Sequence, residues 1–365
     1  MKISQLKKTT RTDFLTYAGV IAAFVIMSVL QSSGSLSRSL TGQLVPICCY
    51  MSMAVSLNLT VGILGELSLG HAGFMSVGAF SGITAAMCLQ NTISSAPLRL
   101  AVAMLVGFVC AAVAGLIVGA PVLRLRGDYL AIVTLAFGEI IKELVNCLLV
   151  GHDANGLHIA FNLSGNMTID DLPLDPETGI AIIKGAQGAT ATKTIATFTA
   201  GFVLVMLTLI IVLNLVRSRA GRAIMALRDN RIAAESVGIS VTKYKLMAFV
   251  TSAALAGAAG VLYALNYTGV AAKKFDFNTS ILILVFVVLG GMGNIRGSII
   301  SAALLTVLPE LLRQFNFDKY RMLVYAIVLI IVMLVVNNAT LMDLLEQAKE
   351  RLFRRGKAKG GESNE

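Results

Sequence analysis

Hydrophobic residues fill most of the chain in long stretches that short polar segments separate. A helix needs about 20 residues to cross roughly 30 Å of hydrocarbon, and ten stretches come close to that length or exceed it; the eighth and ninth are short. They lie at 13–30, 43–63, 70–90, 98–120, 129–150, 195–216, 246–266, 279–293, 297–312 and 321–338. The pattern predicts an all-α polytopic membrane protein with about ten transmembrane helices, some of them short or interrupted by glycine.

The composition supports a membrane location. Apolar residues make up 56% of the 365 residues and charged residues only 14%, against about 25% charged in soluble domains; the mean hydropathy is +0.80. The 33 glycines suit closely packed membrane helices. Five cysteines lie within apolar segments and form no C-x-x-C pair, so we expect small buried apolar side chains and no metal site. They are Cys48, Cys49, Cys88, Cys110 and Cys147.

Basic residues predict the orientation of the helices, because cytoplasmic loops accumulate Lys and Arg. With ten crossings and the N-terminus inside, the cytoplasmic segments hold 20 of the 30 basic residues. We therefore expect both termini in the cytoplasm. The N-terminal arm and first apolar stretch lack a clear small-x-small cleavage site, which favours a retained helix over a secretory signal.

The polar connections divide the chain further. Residues 151–194 are acidic, and Pro173 and Pro176 break any regular pattern, so they predict an external loop or small cap rather than a domain. The membrane domain is then 1–345, and 346–365 form a basic cytoplasmic tail that anionic lipid attracts.

Segment 217–245 is too polar to span a membrane and too regular for a tether. Seven basic residues alternate with scattered apolar ones, alanines favour a short helix, and Gly238 would end that helix. Such a segment either docks into a groove of a soluble partner or lies on the membrane surface.

Two glycine-rich stretches interrupt apolar segments. The first, GELSLGHAGFMSVG, carries Glu66, Ser68 and His71 beside Gly70, and the second, GGMGNIRG, carries Gly290, Gly291, Gly293 and Asn294. Broken backbone at membrane depth is tolerated where protein buries it or where it lines a cavity, and paired interruptions indicate a transport pathway. These residues are therefore candidates for a gate. The alternative is that the polar groups satisfy nearby backbone and the glycines serve packing alone.

Charged side chains lie within the predicted fifth helix, where a charge near the bilayer centre costs on the order of 3 kcal/mol. Glu139 and Lys142 are three residues apart and can form a local ion pair, while Glu143 needs another partner or a proton. They form either a polar site on the transport route or a clamp between helices.

Enzymatic motifs are missing from the sequence. There is no G-x-x-x-x-G-K-[ST], no H-E-x-x-H and no G-x-S-x-G. We expect neither a catalytic residue nor a bound cofactor in this chain.

Four motifs in fixed order resemble branched-chain amino acid ABC transporter permeases of the LivM type. They are GELSLGHAGFMSVGAF, RLRGDYLAIVTLAFGEIIKEL, the run from RSRAGRAIMALRDNRIAAES to AGAAGVLYA, and LGGMGNIRGSIISAALLTVLPELLR. The resemblance covers about 61–313. It implies that segment 217–245 carries a coupling helix that seats in a cytoplasmic ATPase. Carried over by position, the contact would involve Gly221, Arg222, Ala226, Arg228, Asp229, Ala234, Glu235 and Gly238.

The resemblance also implies the remaining machinery. It predicts a multi-pass permease in the bacterial inner membrane that imports Leu, Ile, Val or a related hydrophobic amino acid. Its partners would be a second permease subunit of the LivH type, two ATPase subunits that bind ATP and Mg²⁺, and a periplasmic binding protein that meets the outer face. Alternatives are the same machine carrying urea, a short amide or another small polar solute, a proton-coupled secondary transporter, and a membrane receptor or assembly protein. Whether ATP or the proton gradient supports uptake separates the ABC importer, whatever its cargo, from the secondary transporter.

Overall fold

The computed structural model describes residues 3–35, 37–125, 127–153, 156–162, 172–173, 179–190 and 192–314, together with 326, 327 and 330. Chain contacts divide it into two units, Met1–Val307 and Leu308–Glu365. All sites discussed below lie in the first unit. The predicted tail at 346–365 and nearly all of the predicted tenth span at 321–338 lie outside the described residues.

Eleven α-helices form most of the described structure. They are α1 (Ile3–Ser32), α2 (Arg38–Asn58), α3 (His71–Cys88), α4 (Ala96–Val122), α5 (Asp128–Asn146), α6 (Phe198–Arg217), α7 (Arg219–Asp229), α8 (Arg231–Ser236), α9 (Val241–Ala264), α10 (Phe277–Gly290) and α11 (Ile295–Gln314). A π-helical turn, Leu59–Leu64, continues α2.

The first nine predicted spans each coincide with a helix, α1 to α6 and α9 to α11. Among the described residues, five helical segments are long and apolar enough to cross a membrane: Phe14–Ser32, Arg38–Leu64, Ala96–Val122, Phe198–Arg217 and Val241–Ala264. The eighth predicted span is indeed short, since α10 has 14 residues, but the ninth is not, because α11 has 20. The count of ten spans and the orientation stay predictions.

Large apolar side chains are exposed on several of these helices. Leu105 and Ile117 on α4 are 65% and 66% exposed, and Val203 on α6 is 58% exposed. A soluble monomer rarely leaves contiguous apolar surface of this kind in water. Together with the apolar helices, these faces identify a multi-pass membrane protein.

Helix α9 is the centre of the bundle, and small residues let its neighbours approach it closely. Its second half is almost wholly buried. A Cβ atom added at Gly78 of α3 would collide with the backbone of Gly257, and one at Gly257 would collide with the Gly107 carbonyl of α4. Helices in lipid associate through close packing of this kind, because apolar surface gains little by leaving lipid.

A five-stranded sheet corrects the all-α prediction. Strands β1 (Leu148–Asp153), β2 (Gly156–Phe161), β3 (Ile180–Lys184), β4 (Ala189–Thr190) and β5 (Gly269–Val270) pair antiparallel in the order β2-β1-β3-β4-β5. The described residues of 151–194 include residues of strands β1 to β4, which corrects the expectation that no regular pattern runs through this segment; the external loop or small cap stays a prediction. Alternation along β2 leaves Leu157, Ile159 and Phe161 on one exposed face, which is the period of a strand.

Segment 217–245 folds as two short helices instead of one. The Ser218 hydroxyl caps α7 by accepting the Gly221 amide at 3.1 Å, and the Asn230 side chain caps α8 by accepting the Ala233 amide at 3.0 Å. Both are favoured N-cap residues. Gly238 ends α8 with a φ of +83°, so the predicted stop is in place.

Candidate functional site

The first glycine-rich stretch is a true break in the helical backbone. The π-helical turn that extends α2 stops at Gly65, whose φ of +79° is the left-handed conformation that glycine adopts without strain. The Glu66 amide donates to the Thr60 carbonyl at 3.0 Å, and the chain then runs without helix to His71, where α3 begins. π-Helical turns are rare and often mark functional positions.

His71 and Ser68 are buried inside the bundle. Their residues are 2% exposed. The Ser56 hydroxyl donates to the Met53 carbonyl at 2.9 Å and lies 2.8 Å from His71 Nε2. Because that hydroxyl has only one proton, His71 Nε2 is the donor of the second bond. The Ser68 hydroxyl has no hydrogen-bond partner among the described residues. His71 is thus held by a side chain of α2, and Ser68 is the unsatisfied polar group of the break.

Side chains from α5 and α10 satisfy backbone amides around this break. The Leu69 amide donates to the Thr134 hydroxyl and the Ala72 amide to the Ser280 hydroxyl, both at 3.1 Å. A Cβ at Gly70 would collide with the Thr134 carbonyl. The glycine is therefore needed for the close approach of α5.

The second glycine-rich stretch separates α10 from α11. Gly291 and Gly293 have φ values of +87° and +84°, and Gly290 packs against the backbone of Gly297 so closely that a Cβ would collide. The Asn294 side chain accepts the Gly297 amide at 3.3 Å and so caps the start of α11. Both predicted interruptions are real breaks.

The two breaks meet through Asn58 at the end of α2. Its fully buried side chain accepts the Gly293 amide at 2.8 Å and donates to the Ser298 hydroxyl at 2.9 Å. A Cβ at Gly62 would collide with the Gly293 backbone. Segments 235 residues apart in the chain are therefore in direct contact.

Glu66 has a charged partner at the start of α9. Its carboxylate forms an ion pair with the Lys245 ammonium, and the two side chains are only 17% and 6% exposed. A buried charge needs such a partner because leaving water costs several kcal/mol. Glu66 thus anchors the first break to the end of segment 217–245.

The predicted coupling residues on and beside helices α7 and α8 divide into a buried group and an exposed group. Gly221 and Ala234 are buried, and Ala226 packs against the small cluster of Leu227, Ala234 and Val241. Arg222, Asp229, Glu235 and Gly238 are exposed. Ile232 and Val237 are also exposed, at 79% and 75%. We call the side chains of Asp229, Ile232, Glu235 and Val237 the α7–α8 surface.

Arg228 differs from the other predicted coupling residues. Its Nη1 donates to the Gly62 carbonyl at 2.6 Å, and its Nε lies 3.9 Å from an Asp229 carboxylate oxygen. The side chain is 47% exposed. Its guanidinium points into the permease at the first break.

The charged group in α5 is not at mid-span, which corrects the expectation. Because α5 ends at Asn146 and the chain continues as β1, Glu139, Lys142 and Glu143 occupy its last two turns. Lys142 forms the predicted ion pair with Glu139 and lies 3.6 Å from Glu143, which also accepts the Asn146 side-chain amide at 3.1 Å. The single Lys142 ammonium compensates one of the two carboxylates within the same helix.

Sequence reasoning missed Asn58, Lys245, Thr134 and Ser280. Each is a buried polar residue within an apolar or mixed segment, and a buried polar group generally has a hydrogen-bond partner. That signal marks the residues but does not identify their partners.

Comparisons with known proteins agree on one family. The model for "Branched-chain amino acid transport system / permease component" matches residues 39–333. The LivM permease protein of the high-affinity branched-chain amino acid transport system is 36% identical in Salmonella typhimurium over 299 residues and in Escherichia coli over 291 residues; each match covers 78% of this chain and 66% of the relative. The LivH permease protein of Salmonella typhimurium is 33% identical over 124 residues, covering 34% of this chain and 40% of LivH. No solved structure matches the chain.

Proposed function

The chain belongs to the branched-chain amino acid transport permease family, and from this membership we propose that it is one permease subunit of an ABC importer. The chain spans 66% of the length of its LivM relatives. Its proposed cargo is Leu, Ile, Val or a related hydrophobic amino acid, as the names of those relatives suggest. The proposed location is the bacterial inner membrane.

The proposed partners follow from the same relatives. A LivH-type chain would form the second half of the route, since LivM and LivH both occur among the relatives. Two ATPase subunits would bind ATP and Mg²⁺, one of them seated against the α7–α8 surface of this chain, and a binding protein would deliver the amino acid at the opposite face. Glu66, Ser68, His71 and the two breaks would belong to the gate. Glu139 and Lys142 would lie nearer the opposite end of the route.

The α7–α8 surface is the observation that carries this proposal. A helix pair that is capped, packed on α9 and still exposes Ile232 and Val237 beside Asp229 and Glu235 suits an amphipathic contact with a soluble partner. Its packing also supports a rigid body that can pass on a displacement. A flexible tether would not transmit one.

Reversing both acidic charges of this surface tests the proposal. We expect the Asp229→Lys, Glu235→Lys variant to lose association with the ATPase subunits by about tenfold or more, because charges at an interface steer docking and wrong pairs cost several kcal/mol. Co-purification and substrate-stimulated ATP hydrolysis in reconstituted vesicles measure the effect. Asp128→Lys, an exposed acid at the start of α5, is the control.

The competing membrane-surface role gives the opposite result. A helix pair on anionic lipid should bind more strongly after an acid becomes a base, by about 1 kcal/mol per added basic residue. Unchanged ATPase association and unchanged stimulation in the double variant would therefore contradict the coupling role.

The proposed topology, with both termini in the cytoplasm, predicts opposite labelling of two exposed positions. In a chain lacking the five native cysteines, a cysteine at Asn230 between α7 and α8 should react with an impermeant thiol reagent only from the cytoplasmic side. A cysteine at Gln187, between β3 and β4, should react only from the outside. Reaction of both from one side contradicts the topology.

A further inference from the structure

The contact between Arg228 and Gly62 joins the α7 helix to the first break. The Gly62 carbonyl lies in the last turn of the π-helical segment Leu59–Leu64, where carbonyl groups run out of helical donors. The Arg228 guanidinium supplies one from a position 166 residues further along the chain.

Both breaks lie against the same arginine side chain. A methyl group built on Gly65 would lie 2.8 Å from Arg228 Cγ, and one built on Gly293 would lie 3.6 Å from Arg228 Nη1. Both glycines have a positive φ. The stem of Arg228 therefore passes over Gly65, and its guanidinium ends near Gly293.

A second basic residue holds the other side of the first break. Lys245 lies at the far end of segment 217–245 and pairs with Glu66. Segment 217–245 thus holds residues 62–66 at two points, at the Gly62 backbone carbonyl and at the Glu66 side-chain carboxylate.

The two holding points differ in how easily they can open. Separating Lys245 from Glu66 would leave two largely buried charges without partners, which is strongly unfavourable. Separating Arg228 from Gly62 leaves a guanidinium that is already 47% exposed and that water can solvate, beside a neutral carbonyl. The hydrogen bond between Arg228 and Gly62 can therefore break and form again at a much lower cost in free energy than the Lys245–Glu66 ion pair.

We propose that the hydrogen bond from Arg228 to the Gly62 carbonyl is a reversible link that passes displacement of α7 and α8 to both breaks. The Lys245–Glu66 pair stays closed and serves as the fixed point. Arg228 is then a positioning residue inside the permease and not an ATPase contact. This inference rests on the proposed function, since it assumes that a partner displaces the α7–α8 surface.

The path from Arg228 to the second break is short. Gly62 contacts Gly293 directly. Asn58, about one helical turn before Gly62 in the chain, forms hydrogen bonds with both Gly293 and Ser298. A shift of the π-helical turn therefore moves the start of α11 as well. Coupling between two sites requires an element with two arrangements that both sites bias, and the π-helical turn is the candidate for that element.

The test replaces Arg228 with methionine, which keeps an apolar stem over Gly65 and removes every donor. Three quantities are measured: co-purification with the ATPase subunits, substrate-stimulated ATP hydrolysis in vesicles, and amide hydrogen exchange across 60–66. We expect association within about twofold of the unchanged protein, while stimulation falls and exchange rises by about tenfold or more, the size expected for losing a hydrogen bond to a charged group. Arg219→Met, an exposed arginine at the start of the same helix, is expected to leave all three within about twofold.

Two outcomes overturn the inference. If Arg228→Met loses ATPase association as the Asp229→Lys, Glu235→Lys variant does, Arg228 is a partner contact. If substrate-stimulated ATP hydrolysis and amide exchange are both unchanged in Arg228→Met, the hydrogen bond does not transmit displacement of α7 and α8 to the breaks. Arg228→Lys provides the second variant should the methionine variant accumulate poorly: it keeps the charge and an ammonium donor group, and its stimulation and exchange are expected to lie between those of Arg228→Met and the unchanged protein.

Failure of the proposed function gives a different result. In that case the unchanged protein itself fails to retain ATPase subunits. The exchange measurement on the isolated permease still reports whether Arg228 holds the segment 60–66.

Discussion

Replacing Lys245 with methionine is expected to lower the free energy of unfolding by about 3–5 kcal/mol, because removing one partner of a buried ion pair leaves the other charge uncompensated. Glu66 would be that orphaned charge, in a side chain only 17% exposed. Thermal unfolding of the detergent-solubilised protein measures the loss. Lys243→Met, at an exposed position two residues earlier in α9, is the matched control and should change stability little.

A double-variant cycle identifies the source of the loss. Glu66→Gln removes the charge that Lys245→Met would strand, so the combined variant is expected to be more stable than Lys245→Met alone. If the two effects simply add, the pair contributes no interaction energy. The fixed point assigned to Lys245 and Glu66 would then be wrong.

Replacing Gly257 with valine is expected to prevent normal packing of the bundle centre. The new Cβ would collide with Ala111 and would lie 2.6 Å from the Gly107 carbonyl oxygen. Overpacking typically costs about 1–3 kcal/mol, and the cost should reach or exceed that range here because a backbone carbonyl cannot rotate aside. The monodisperse fraction after extraction and the unfolding temperature measure the result.

Gly19 supplies the control for this substitution. It also lies inside an apolar helix, but a Cβ at Gly19 meets nothing within 4 Å, so Gly19→Val should leave both quantities nearly unchanged. Equal effects of the two substitutions would show that a valine in an apolar helix is harmful in itself. Close packing at α9 would then not be the reason.

The helices that coincide with predicted spans were largely predictable, because apolar composition over a sufficient length identifies such a segment. The breaks were predictable for a related reason: Gly65, Gly291 and Gly293 have positive φ values, a conformation that favours glycine. A cluster of glycines inside an apolar segment therefore indicates a break even when its partners are unknown.

The partners across the breaks could not be predicted. Lys245 is 179 residues from Glu66, and Arg228 is 166 residues from Gly62. The hydrophobic periodicity of one segment does not indicate which residues, so far away in the chain, it will contact. The resemblance placed Arg228 in the predicted coupling segment. The direction in which its side chain points depends on how α7 packs against the rest of the bundle, which the local sequence does not determine.

The end of α5 and the sheet were missed for a local reason. Residues 147–150 are apolar, and a short apolar run fits the end of a helix or the start of a strand equally well. The alternation of Leu157, Ile159 and Phe161 was a usable strand signal. The prolines at 173 and 176 outweighed it, although Pro173 lies outside the described strands.

The sheet also sets an order for synthesis. Strand β4 pairs on one side with β3, only a few residues before it, but its other partner, β5, follows helices α6 to α9. The chain must grow by about 80 residues between them, which takes roughly 4–16 s at about 5–20 residues per second. During that interval β4 has an unpaired edge, so the nascent chain carries an open strand until the whole of α9 has left the ribosome.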